Sequence, residues 1–197
     1  MKRAALGIRM HSGWGVLVAV SGDANCLAVM DRRRIVITDS TLPGANQPYH
    51  HAADLELSKA EAYLANCAAI SERLAQAAIE ELVRQFDTLH HRIAGAAVLL
   101  ASGRAPPSLV SILASHPLIH TAEGEFFRDA VRKACVGAKV PVTSIRERDL
   151  EGQAKATFGR AASRVQRIIA GLGKSIGPPW TVDHKAAALA AATILAG

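Results

Sequence analysis

The chain has 197 residues, half of them hydrophobic but only 4% aromatic, and a formal net charge of +6 with an isoelectric point near 9.6. Such length and apolar content support one hydrophobic core and exclude an intrinsically disordered chain. The basic balance favours polyanions, nucleic acid or phosphorylated ligands among them, or else serves solubility alone. Cys26, Cys67 and Cys135 are odd in number and far apart, which excludes a disulfide framework or zinc knuckle and reads as reduced core residues in a cytoplasmic setting. No run reaches the roughly 18 apolar residues of a membrane span. Met1-Lys2-Arg3 leads into a strand-like run that soon meets Arg9 and His11, too short and polar for a signal peptide.

The first forty residues read as strands. Ala4 to Ile8 and Gly15 to Val20 are separated by the turn-rich Met10-His11-Ser12-Gly13, and a third run, Cys26 to Ile37, is interrupted by Asp31-Arg32-Arg33-Arg34. Short connections make these an antiparallel meander. After a Pro, Gly and Asn-rich loop over 42–48, Ser58 and Glu61 have the spacing of a capping box that opens a long helix. Its apolar stripe runs through Tyr63, Cys67, Ile70, Leu74, Ala78, Leu82, Phe86 and Leu89.

Ala94 to Ala101 suits a strand buried on both faces. A short helix over 108–114 is stopped by Pro117, and another is predicted from Thr121, as its cap, to Gly137. Val140 to Ile145 is the next strand. Asp149 caps a helix reaching about Leu172, and a last Ala-rich helix begins near Asp183, whose carboxylate suits its cap. No repeat, low-complexity tract or linker divides residues 1–197, so a single domain is expected.

The hairpin Leu6-Gly7-Ile8-Arg9-Met10-His11-Ser12-Gly13-Trp14-Gly15-Val16, the element order, and Asp183 at the head of the last helix resemble the ribonuclease H-like superfamily and, within it, the RuvC-like branch. The resemblance implies an α/β fold: a mixed five-stranded sheet, its first three strands antiparallel and the others parallel, flanked by helices. It also implies two divalent cations held between carboxylates about 4 Å apart for phosphodiester cleavage. The family places an Asp directly after Gly-Ile in the first strand, where this chain has Arg9. An acidic residue is due near the end of the fourth strand, where Ala101-Ser102-Gly103-Arg104 stands, and another at Ala186. Only Asp183 remains at a matching place. Arg9 and Arg104 are expected near it, with Arg9 either in an ion pair with Asp183 or, with His11 and Arg104, in an anion pocket.

Other groupings carry weaker chemistry. Glu123 and Glu125 beside His116 and His120 combine carboxylates and imidazoles suited to a transition metal or a proton relay, but Pro117 between the histidines argues against a regular i,i+4 pair. His50-His51 and His90-His91 are adjacent pairs whose side chains diverge, as surface residues do. Gly171-Leu172-Gly173-Lys174-Ser175 lacks the first glycine and the preceding strand of a phosphate loop and reads as a helix end. Phe158, Ala162, Val165, Ile169 and Leu172 form an apolar stripe. Arg160, Arg164 and Arg167, extended by Lys174, lie opposite, either as a phosphate-binding face or as a solvated one.

These residues point first to a nucleic-acid-binding or assembly module of ribonuclease H-like fold with a degenerate acidic site and no cofactor. The first alternative is a metal-dependent nuclease in which Asp183 and Glu123 or Glu125 hold Mg²⁺ or Mn²⁺. The second is a phosphorylated-ligand-binding relative of the actin-like fold, for which a homodimer would supply the missing half.

Overall fold

The computed structural model describes residues 2–101 and 107–197, so Arg104, with Ser102 and Gly103 beside it, lies outside the described residues. Strand alternation organises what is seen. In β1 (Lys2–Met10), Ala4, Leu6, Ile8 and Met10 enter one hydrophobic core, while Ala5 enters another on the opposite face. The antiparallel neighbours β2 (Trp14–Gly22) and β3 (Leu27–Val36), and the parallel β4 (His91–Leu100) and β5 (Val142–Arg146), complete a sheet of order β3-β2-β1-β4-β5. This is the mixed five-stranded sheet expected from the sequence.

Asp31 to Arg34 do not interrupt β3. The strand absorbs them with a bulge at Met30, opposite Ala19 and Val20 of β2, and alternation then parts the three arginines. Arg33 bonds Gln85 on one side of the sheet. On the other side, Arg32 donates to the carbonyls of Ile176, Gly177, Pro178 and Pro179 at 2.5–3.0 Å, pinning that connection to the sheet edge.

One face is covered by α2 (Leu57–Thr88) and α4 (His116–Gly137), with the short helices α1 (Pro48–Ala53) and α3 (Leu109–Leu113) at their ends. The start of α2 differs from expectation: Glu56 occupies the cap position and Ser58 lies inside the helix. The buried line also runs through Leu64, Ser71, Ala75 and Ile79, leaving Tyr63, Ile70, Leu74 and Ala78 at its margin and Leu89 exposed. Small residues at Ser71 and Ala75 occupy the fully buried line of the helix that packs on α4. α4 begins five residues before the expected Thr121, because Pro117 sits in its first turn, where no backbone N–H is needed. Cys67 and Cys135 are core residues, and burial pushes the Cys135 thiol up to about 12, whereas Cys26 is exposed, contrary to expectation.

The other face is covered by α5 (Leu150–Phe158), α6 (Ala162–Ile176) and α7 (Val182–Ala196). The single helix expected from Asp149 to Leu172 is broken at Gly159, whose φ of 52° no helix accommodates. Asp149 makes no side-chain cap, and α6 runs through Gly171 and Gly173 to end at Gly177. Trp180 packs on Gly173, where a Cβ would meet its ring at 2.8 Å.

α7 is Ala-rich because it lies directly on the sheet. A Cβ at Gly7 would sit 1.8 Å from the Ala187 carbonyl oxygen, so only glycine permits this approach. Thr181 and His184 form the capping box of α7 in place of the expected Asp183 cap, which leaves the Asp183 carboxylate free to point elsewhere.

Candidate functional site

The crossing of α7 over Gly7 sets the site. From Gly7 to Arg9 the strand advances about 6.6 Å, and from Ala187 back to Asp183 the helix retreats about 6 Å. Arg9, on the same strand face as Gly7, therefore meets Asp183 in the first turn of α7. In the register of the sheet, Arg9 pairs with Leu99 and Leu99 with Ile145, so Glu147, two residues beyond Ile145, arrives at the same strand ends.

Arg9 joins both carboxylates. Its Nε donates to Glu147 Oε1 at 3.1 Å and its Nη2 to Oε2 at 2.8 Å, a two-pronged pairing that matches the planar guanidinium to the planar carboxylate. Its Nη1 donates to Asp183 Oδ1, whose other oxygen lies 2.9 Å from His11 Nε2. His11 in turn stacks on Trp14 with ring centroids 4.3 Å apart, and the Arg34 guanidinium covers the Trp14 ring at 4.2 Å.

Partial burial alone would raise the Asp183 carboxyl, but the hydrogen bond with His11 and the charge of Arg9 outweigh it and hold the group below the usual carboxylate range. The bonds to Glu147, working against burial, strengthen the hold of Arg9 on its proton. Arg128, only 8% exposed, reaches from α4 to donate to the Leu99 carbonyl at 3.0 Å; burial pulls its guanidinium down while Glu125 and Glu147 oppose that pull. A second cation thus stands at the end of β4. Beside these groups opens a cleft of about 490 Å³, whose walls include Trp14, Arg34, Asp183 and His184. Ala186 faces a separate, largely apolar cleft of about 330 Å³ that it shares with Glu147.

Glu123 and Glu125 lie elsewhere in the network. Glu125 accepts from Arg132 at 2.8 Å, while Glu123, 3% exposed, accepts from the His50 backbone N–H at 3.2 Å. Among the described residues, Asp183 does not join either of them in a group of three metal-ligating side chains; the one such group is His50, His116 and His120. Because α4 starts at His116, the two histidines that Pro117 was expected to separate do form an i,i+4 pair. Arg160, Arg164, Arg167 and Lys174 are all exposed, and Ala162, Val165 and Ile169 are buried opposite them, with Phe158 and Leu172 partly buried.

Glu147 and Arg128 carry no motif signal in the sequence, and His50, expected at the surface with His51, is instead half-buried with its Nδ1 inside the protein. Alternation from Ile145, which faces α7, places Glu147 on the α7 side. Arg128 lies in an apolar stretch with no motif, and His50 depends on where α1 docks.

The strand order and the helix layers are those of a known fold. A RuvC from T. thermophilus in complex with Holliday junction substrate superposes with a TM-score of 0.56 at 15% identity, over 97% of this chain and 91% of that one. The fold is that of RuvC. A second Thermus thermophilus RuvC structure gives 0.54 at 14% identity, over 96% of this chain and 91% of that one. No protein-family model and no curated protein sequence matches the chain. Among the described residues, no helix is long and apolar enough to cross a membrane.

Proposed function

We propose that this protein binds nucleic acid on a RuvC fold without performing two-metal phosphodiester cleavage. The observation that carries the reading is Arg9 held between Glu147 and Asp183. A guanidinium between two carboxylates satisfies them both and repels a divalent cation, which removes the electrostatic basis for activating a water and stabilising a leaving oxygen. Arg128 at the end of β4 adds to that positive field. Two features supply a nucleic-acid surface. One is the cleft beside Trp14, which offers the Arg34 guanidinium laid over the indole; the other is the exposed row Arg160, Arg164, Arg167 and Lys174. The RuvC with which the chain superposes was captured with a four-way junction, which makes that substrate the first to try.

The test incubates labelled four-way junction, duplex and single strand with the protein at low salt, with and without Mg²⁺ or Mn²⁺. The expected result is retention of at least one substrate without cleavage. The affinity should fall steeply with salt, and the salt slope should shrink by about one for each of Arg164→Ala and Arg167→Ala. Metal-dependent cleavage abolished by Asp183→Asn would overturn the non-catalytic part, and absence of binding at low salt would overturn the binding part.

A further inference from the structure

We infer that His50, His116 and His120 form a site for a divalent transition ion, Zn²⁺ above all, at the junction of α1 and α4. The three ring systems converge from two helices: the His50 centroid lies 4.7 Å from that of His120 and 5.2 Å from that of His116, and the latter two are 4.5 Å apart. One ring nitrogen from each lies within 4.8 Å of the others. Tetrahedral Zn²⁺ with nitrogens at about 2.0–2.1 Å needs donor atoms closer than that, a gap that small ring rotations close. Both α4 histidines are exposed and His50 is half-buried, so an ion has an open path and a fourth position for water. Imidazole triads favour zinc, nickel, cobalt or copper over Mg²⁺, which prefers oxygen donors.

A second observation points to the same ion. His50 Nδ1 is buried without a hydrogen bond of good geometry, yet lies 2.9 Å from Oε1 of Glu123, whose side chain is 4% exposed. No Lys or Arg is paired with Glu123 among the described residues. A carboxylate so buried is costly unless a positive partner faces it. A cation bound at the other nitrogen of His50 polarises its Nδ1–H toward Glu123, the carboxylate–histidine–metal arrangement that fixes the tautomer and strengthens the ligand. Tyr49 and Ala52 pack α1 against its neighbours and hold His50 over the first turns of α4.

The experiment titrates the untagged full chain with Co²⁺, followed by its visible absorption, and with Zn²⁺ by calorimetry. The expected result is one ion per chain, with the intense Co²⁺ bands of tetrahedral nitrogen coordination. Glu123→Gln should weaken binding about 10- to 100-fold, and His116→Ala or His120→Ala should weaken it further. The α4 histidines are exposed, so their variants keep the fold and isolate the ligand effect even where Glu123→Gln perturbs it. Zn²⁺ affinity unchanged in the His116→Ala/His120→Ala double variant, or no Co²⁺ bands at millimolar ion, would overturn the assignment.

Discussion

Among the described residues, two clusters present metal-ligating side chains, and only one of them already holds a guanidinium. At the strand ends, the carboxylates Glu147 and Asp183 already hold a cation, the Arg9 guanidinium. At the junction of α1 and α4, three imidazoles gather in front of a buried carboxylate with no guanidinium or ammonium paired to it among the described residues. The contrast is between carboxylates that a side-chain cation already pairs and a carboxylate that faces only imidazoles. What matters is whether the local charge is already balanced. An Arg side chain cannot be deprotonated and so cannot leave room for a divalent ion by losing its proton.

The largest effect should come from reversing the charge that distinguishes the two clusters. Arg9→Asp brings a third carboxylate against Glu147 and Asp183 at a site only about a quarter exposed, and should cost about 3 kcal/mol or more. Mn²⁺ should restore much of that loss in the variant while leaving the wild type unmoved, as read from thermal melts with and without the ion. A wild-type melt raised by Mn²⁺ and lost with Asp183→Asn would break the comparison.

A smaller effect is expected from pH. Because His11 and Arg9 depress the folded pKa of Asp183 against the contrary pull of burial, its contribution is fully present above the ordinary carboxylate pKa of about 4. It is lost as pH falls through the lowered folded value. Asp183→Asn should therefore flatten the acid limb of the stability curve below about pH 4, measured by urea melts across pH. The smallest effect belongs to the other cluster. Without metal, His116→Ala or His120→Ala at these exposed positions should shift stability by no more than about 0.5 kcal/mol, and with Zn²⁺ only the wild type should gain. A metal-free loss of several kcal/mol would mean that the imidazoles act as packing.

Much of the fold could be read from the residues because it rests on periodicity. The apolar runs Ala4 to Ile8 and after Ala94, bounded by turn residues, and the Ala-rich last helix each have a single economical reading, and the meander followed by crossovers leaves few topologies. The position of Arg9 opposite Asp183 was accessible for the same reason, since a strand's end and a helix's start are local facts. Helix boundaries were less so. Ser58 and Pro117 carry local signals that tertiary packing assigned differently: Ser58 went inside α2, and Pro117 became a first-turn residue of α4. The site components that depend on docking were least visible. His50 meets His116 and His120 only because α1 packs across α4, and Arg128 reaches the end of β4 only through the length of its side chain. No spacing in the sequence encodes either contact.

The proposed function requires that a guanidinium, and no metal ion, occupy the strand-end crevice. Anomalous diffraction from crystals of the wild-type protein soaked in Mn²⁺ tests it most directly. Arg9 should stay in place between Glu147 and Asp183 with no anomalous peak there; a Mn²⁺ peak bridging the two carboxylates, with Arg9 swung aside, would overturn the non-catalytic reading.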